Sequence, residues 1–442
     1  MKLRLLLLFL ALPLLAQERD TPAPQQADQR DPAAVRLRFR PYLSVRVGDV
    51  LRMDFHLKFQ GDFRGLEPSL KSGENLFDLH RVRVGIEGRF LRDFEYEVER
   101  EIREEVSGGE FENPRHPWRD AFVNYRHFRD FQIRGGKFKL PFSREQLTGP
   151  TRLDFIFRSR IADNIAPARD LGIVAHGNFS NRSLTYEAGL FKQDGENGRT
   201  IASGLEYPAG QRTFAGRLTG MPLRLLSGPG FWKRVEVGGA FALSTVPGAV
   251  GPEGAKGLRG RTVDGHVFFP HLFVRGQRLR IGAEMTWAPG PFSLNGEFVH
   301  ARDERRGQGL RGVDLPPLIA RGWYVSGTWV VTGERKRGGV EPRKNFLLGR
   351  GTGAAELAVR YEQLRFGSSE HPGIPSRATR AANILGNSDR VWTFGANWYW
   401  NRLVKIQFNA IRERLEDTAL PRSPIEGTSL YWMRVVRLQL IL

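Results

Sequence analysis

The sequence predicts an all-β fold, a transmembrane antiparallel β-barrel of about 16 strands with long outer loops and short periplasmic turns. Three observations predict it. Segments of roughly ten to fifteen residues alternate in polarity from residue 44 to residue 442, each bounded by Gly, Pro, Asn or Asp. Tryptophans gather on the apolar side of those segments: Trp392, Phe394, Trp398 and Trp400 share one face, as do Trp323, Val325, Trp329 and Val331, and Ile281, Ala283, Met285 and Trp287. Beyond the N-terminus no window approaches the ~18 consecutive apolar residues of a spanning helix, so a membrane role has to use strands.

The N-terminus reads as an export signal. Met1-Lys2-Leu3-Arg4 is basic, residues 5–15 are apolar and Ala16 is a small residue at a plausible cleavage point, so 1–16 is the expected signal peptide. The apolar stretch is shorter than the ~20 residues that cross a bilayer. Residues 17–43, with Pro22, Pro24, Gln25, Gln26 and Pro32, are too polar to bury a core and read as a flexible periplasmic leader. Residues 44–442 form the expected barrel domain. The chain has no cysteine, which removes thiol and zinc–cysteine chemistry and leaves hydrogen bonding to hold an exported protein together.

The expected strands are 44–59, 79–91, 93–104, 117–129, 131–140, 170–180, 183–193, 211–222, 233–245, 278–289, 291–303, 321–333, 353–366, 389–401, 402–415 and 428–442. Alternation assigns their faces. Val82, Val84, Ile86, Trp392 and Trp398 are expected to point to lipid, and Arg83, Glu97, Lys405, Gln407 and Gln439 to the lumen. Arg81, Arg83 and Arg89 form one polar row and Glu95, Glu97, Glu99 and Glu101 another, separated by Leu91-Arg92-Asp93. A tight hairpin there sets the two rows side by side on the pore wall, where opposite charges are favourable neighbours and shape the field. Connectors alternate between tight turns and long loops, and 334–352 breaks the rhythm by being long where a turn is expected.

Several runs together resemble a known family. They are Gly136-Lys137-Phe138-Lys139-Leu140-Pro141-Phe142-Ser143-Arg144-Glu145-Gln146-Leu147-Thr148, then Phe155 and Phe157-Arg158-Ser159, then Ala168-Arg169-Asp170-Leu171-Gly172-Ile173. Trp323-Tyr324-Val325, Val331-Thr332-Gly333-Glu334, the stretch from Gly353 to Tyr361, Asn397-Trp398-Tyr399 and Arg437-Leu438-Gln439-Leu440 extend the match. In order and spacing this resembles the phosphate-selective porin O and P family of Gram-negative outer membranes, over most of the chain after residue 79. The resemblance implies a sixteen-stranded barrel, usually trimeric, that takes up phosphate or related anions. The terminal Leu442 departs from the aromatic residue with which the family usually ends.

A formal net charge of +19 bears on function. Nucleic acid would need a basic patch or a recognition motif. The arginines are instead dispersed over strands and loops, and a nucleic-acid partner is not expected. Guanidinium groups lining a pore raise the local anion concentration and repel cations, which gives an anion-selective, phosphate- or polyphosphate-permeable diffusion channel as the expected function. Competing readings are contact of outer-loop arginines with lipopolysaccharide, and a general or structural barrel with a basic exterior. A barrel hydrolase would need an outward Ser–His pair near the rim, and no segment pairs them obviously. The scattered histidines show no HExxH or other metal spacing, and neither a P-loop nor a GxSxG elbow is present, so no catalytic site, cofactor or metal is expected.

The expected selectivity filter lies in connector 141–169, the third outer loop. A barrel of this size leaves an aqueous channel wide enough to receive a folded-in loop. Leu153, Phe155, Ile156 and Phe157 would anchor it to the wall, leaving Arg144, Arg152, Arg158, Arg160 and Arg169 to line the narrowest passage, offset by Asp154, Asp163 and Asp170. Arg158 and Arg160 are read as a leading pair on one strand-like face. Connector 246–277, with Lys256, Arg259 and Arg261, is the alternative location.

Overall fold

Alternation gives each strand one polar and one apolar face, and a sheet closed on itself is the arrangement that satisfies every backbone group while segregating the two faces. The computed structural model describes residues 35–39, 43–67, 77–102, 118–179, 183–195, 212–224, 230–246, 255–336, 338–346, 351–368, 373–416 and 428–442. The expected signal peptide, the leader up to residue 34 and most of the outer connectors 105–116, 194–210 and 416–427 lie outside these residues.

A hairpin of β1 (Val35–Phe39) and β2 (Leu43–Val47) precedes the wall. The wall runs through β3 (Leu51–Glu67), β4 (Phe77–Phe90), β5 (Phe94–Glu101), β6 (Trp118–Tyr125), β7 (Gln132–Lys139), β8 (Arg169–Phe179), β9 (Leu184–Phe191), β10 (Thr213–Gly220) and β11 (Glu236–Val246). Four short strands, β12 (Ala255–Lys256), β13 (Gly260–Arg261), β14 (Val267–Phe269) and β15 (Phe273–Val274), occupy the next connector. The wall resumes with β16 (Gly276–Trp287), β17 (Phe292–Arg305), β18 (Leu315–Val330), β19 (Ala354–Ser368), β20 (Asn387–Tyr399), β21 (Val404–Leu415) and β22 (Leu430–Ile441). Each wall strand pairs antiparallel with the next, and β22 returns to β3, from Trp432 opposite Glu67 to Ile441 opposite Lys58, closing a ring of 16 strands.

The first expected strand differs most, while β18 begins six residues before the expected 321. Instead of one strand over 44–59 followed by a long connector, β2 ends at Val47, the chain turns at Gly48 (φ 52°), and β3 runs to Glu67. Two glycines on the outward face of β3, Gly61 and Gly65, hide the alternation in the sequence. A Cβ at Gly61 would meet the Phe77 ring at 2.9 Å, so any larger residue there needs that ring to shift. Strand β1 also falls in the stretch read as leader, so paired structure begins before residue 44.

The polarity of the wall is that of a membrane barrel, inverted relative to a soluble protein. Gln407 is 1 % exposed while Phe408 beside it is 46 % exposed. Arg83, Lys405 and Gln439 are likewise buried on the inner side, whereas Val84 and Trp392 are exposed outside. Aromatic rings mark both rims. At the short-turn rim Trp232 stacks on Trp287 at 5.2 Å, and Phe346 packs on Trp398 at 4.8 Å. Towards the long-loop rim Trp323, Tyr361 and Trp392 form a chain of contacts at 5.4 and 4.6 Å. Val325 lies between the two girdles and is exposed outward. Val325→Arg is therefore expected to destabilise the barrel by about 2–4 kcal/mol in lipid, the cost of a cation near the bilayer midplane, measured by denaturant titration of the protein folded in vesicles.

Candidate functional site

Between β7 and β8 the chain does not run over the rim. It turns into the lumen at Pro141, forms one helical turn over Arg144–Leu147 and a 3-10 turn over Pro150–Arg152, extends through Leu153 to Ser159, and closes with a short helix over Arg160–Asn164. Ser143 caps the first turn by accepting from the Gln146 N–H at 3.2 Å. The bend places irregular backbone inside the barrel, where each carbonyl and N–H needs a partner.

Wall side chains supply those partners from strand after strand. On β17 the Glu297 carboxylate accepts from Ser143 Oγ and from the Glu145 N–H, both at 2.7 Å. On β19 Arg360 donates to Glu145 Oε1 at 3.1 Å and to the Phe157 carbonyl at 3.2 Å, and Glu362 accepts from the Arg160 N–H. Asn397 on β20 donates to the Asp154 carbonyl at 2.9 Å. On β21 Lys405 donates to the Leu153 carbonyl at 3.0 Å, and Asn409 accepts from the Ile156 N–H at 2.9 Å. Arg437 and Gln439 on β22 donate to the carbonyls of Ile156 and Thr151 at 2.8 and 3.0 Å. Apolar contacts complete the docking: Ile156 and Phe157 pack with Val391, Ile411, Met433 and Val435, and Phe155 lies under the Arg360 guanidinium at 4.6 Å. Leu153, Phe155, Ile156 and Phe157 are all buried against the wall.

The loop before β16 leans on the same structure. Its Val263 N–H donates to Glu413 of β21 at 2.9 Å, Phe269 stacks on Phe366 at 4.7 Å, and the Arg261 N–H reaches Asn164 Oδ1 at 2.8 Å. From the opposite rim, connector 331–353 sends Lys336 to Asp154 at 2.7 Å and to Glu356 at 2.6 Å. Burial alone would lower the Lys336 ammonium, but these two carboxylates raise it above its usual value. Val340 of the same connector is buried beside Val330, Ala354 and Tyr399. The long connector is thus a brace beneath the inward loop.

The five arginines of the expected filter divide into two kinds. Arg160 is 1 % exposed and its guanidinium donates to the Thr262 carbonyl at 2.8 Å, the Arg158 carbonyl at 3.1 Å and Asp163 at 3.1 Å. It starts a helix instead of sharing a strand-like face with Arg158, and it ties two loops together instead of lining a passage. Arg169 opens β8 and is held by Asp120 at 2.6 and 3.1 Å. Arg144, Arg152 and Arg158 keep accessible surface. Arg144 touches Asn295 at 3.0 Å, and Arg158 donates to the carbonyls of Thr148, at 2.6 Å, and Glu145. Burial lowers the Arg158 guanidinium from its usual value, Glu145 and Asp163 oppose that, and the charges of Arg169 and Arg83 add to it.

Lys139 belongs with them and was missed in the sequence. It is the last residue of β7 and donates to the carbonyls of Leu147 at 3.3 Å and Thr148 at 3.2 Å, so it shares the Thr148 carbonyl with Arg158. Its position at the start of the quoted run 136–148 was the available signal.

On the facing wall Arg83 lies opposite Glu101 and bridges Glu99 at 3.0 Å and Glu101 at 2.6 Å. Arg89 faces Glu95 at 3.3 Å, Arg81 contacts Gln60, and Glu97 lies opposite Glu87. His56, Glu97 and Glu99 stand close enough to suggest a metal site, but Lys58 and Arg83 already neutralise Glu99. A divalent ion would have to displace them.

A closed wall with a lumen-filling loop can be set beside known proteins. The family model described as phosphate-selective porin O and P matches residues 53–441. Three solved structures share the fold at low sequence identity. The trimer form of OmpT, an outer membrane protein of Vibrio cholerae, is 9% identical over 89% of this chain and 100% of that one, with a TM-score of 0.53. The outer membrane channel DcaP of Acinetobacter baumannii is 7% identical over 89% and 98%, with a TM-score of 0.51. An anion-selective porin from Comamonas acidovorans is 12% identical over 88% and 99%, with a TM-score of 0.50. No protein of curated function matches the chain by sequence. Because the family match extends from within the first wall strand to the end of the last, the chain belongs to the phosphate-selective porin O and P family, whose members are outer-membrane channels.

Proposed function

We propose that this barrel is an anion-selective diffusion channel for phosphate and related small anions, and that its filter is formed by Arg158, Arg144 and Lys139. The observation that carries this reading is the inward loop, which brings Arg158 and Lys139 onto one carbonyl while keeping part of the Arg158 surface accessible. Their donors are only partly satisfied by carbonyls, so an anion can take the rest. Partial use suits conduction, which needs contacts strong enough to admit an ion and weak enough to release it. The arginines fully engaged by carboxylates, such as Arg278 with Asp194 and Asp303, are the counter-example and belong to the frame. Family and fold support a channel rather than an enzyme. We also propose that residues 1–16 are removed on export and that the protein assembles as a homotrimer, a reading supported by the trimer form of the Vibrio cholerae protein.

Reversal potentials in a salt gradient across planar bilayers test the filter. Arg158→Ala is expected to lower the anion-to-cation permeability ratio about fivefold, the equivalent of the ~1 kcal/mol that a unit charge contributes at 4 Å in water. Lys139→Gln is expected to act in the same direction. An undiminished ratio in both variants, with normal assembly, would place selectivity elsewhere. Arg160→Ala should behave differently. Leaving the buried carbonyls of Thr262 and Arg158 without a donor costs about 1–3 kcal/mol, so the loop should undock, giving larger and noisier single-channel currents and a lower thermal midpoint.

A further inference from the structure

The outer surface of β18–β22 carries a group of charges that the channel reading does not use. Alternation turns Arg321, Arg365, Arg390, Arg412 and Arg414 outward, on the same side as Trp323, Trp392 and Phe408. All five lie in the half of their strands nearer the long-loop rim, because β18 and β20 start there and β19 and β21 end there. Arg321 stands directly opposite Arg365, and Arg390 directly opposite Arg414. Arg412 sits between Trp392 and Trp432 in register.

Like charges opposite one another destabilise a sheet, and cations on a lipid-facing wall are costly unless they reach the headgroup layer. Nothing in the described wall relieves the cost. Among the described residues none of the five arginines forms an ion pair. The described strands turn only Glu67 and Glu304 outward, and these engage Arg434 at 3.0 Å and Arg306 at 2.8 Å. Glu416, just past β21, accepts from Ser388 at 2.7 Å.

We propose that this face binds the phosphate-bearing headgroup of an outer-leaflet glycolipid, lipopolysaccharide by its chemistry. One phosphate between Arg321 and Arg365, and a second between Arg390 and Arg414, would turn two repulsive pairs into two forks around shared oxygens, the geometry that guanidinium groups suit. The acyl chains would lie along the apolar wall below, past Val325, Val359 and Phe394, all exposed outward. A second copy of the chain fits less well, because the described wall offers no strip of outward carboxylates to meet five cations. A free anion would gain nothing from the apolar half of the surface.

The test uses the full-length protein in detergent, with purified lipid A, lipid A stripped of phosphate, and inorganic phosphate as probes, read by native mass spectrometry and thermal unfolding. Wild type should retain lipid A, bind the dephosphorylated form at least about tenfold more weakly, as loss of charge-assisted hydrogen bonds requires, and show no displacement by inorganic phosphate. The double variants Arg321→Gln/Arg365→Gln and Arg390→Gln/Arg414→Gln should lose lipid A binding, yet unfold at the same or a higher temperature in lipid-free detergent because a repulsion has been removed. That opposite response separates lipid binding from a structural role. Unchanged lipid A binding in both variants would overturn the proposal. So would displacement by inorganic phosphate, which means a free-anion site, or dissociation of an oligomer with lipid binding retained, which means a subunit interface.

Discussion

Backbone that leaves the sheet at membrane depth has to be hydrogen-bonded by something other than water or lipid. The inner face of this barrel is organised around that demand. The polar residues of β17 to β22 are not a generic wet lining: Glu297, Arg360, Asn397, Lys405, Asn409, Arg437 and Gln439 each meet a group of the inward loop. This part of the wall is a receptor for the chain's own third loop. Elsewhere on the wall Arg83 is held by Glu99 and Glu101, and Lys139 reaches the loop only through the Leu147 and Thr148 carbonyls.

This division explains why so many cations are buried without forming a filter. A guanidinium with five donors can hold several carbonyls or a pair of carboxylates at once, and Arg160, Arg278 and Arg437 do this with almost no accessible surface remaining. Net charge is therefore a poor measure of how attractive the pore is to anions. Each arginine counts only to the extent that its donors are not already taken.

The fold was legible because a period of two survives any loop chemistry: Trp392, Phe394 and Phe408 report their faces directly from spacing. The miss at β3 came from Gly61 and Gly65, which have no side chain to report a face. The inward loop was legible from its apolar run, since Leu153 to Phe157 would be costly in solvent. Which of its arginines reach the lumen was not. Arg160 begins a helix whose start depends on Glu362, two hundred residues away, and the direction of Lys139 is set by a chain leaving its strand. Connector 331–353 was opaque for the same reason, because the partners of Lys336 lie in other parts of the chain.

The β1–β2 hairpin has a further consequence. The edge of β3 that receives β22 from Lys58 upward is occupied by β2 at Asp54 and below, with Ser44 opposite Asp54. The Leu57 N–H meets the Leu442 carbonyl at 2.6 Å just above that junction. A closing strand that slid two residues toward the short-turn rim would preserve the inside–outside alternation, so side-chain polarity alone guards the seam weakly against such a slip. β2 blocks it sterically, as a doorstop. Since the stagger accumulated around a barrel sets strand tilt and bore, a hairpin outside the ring helps determine the width of the channel within it.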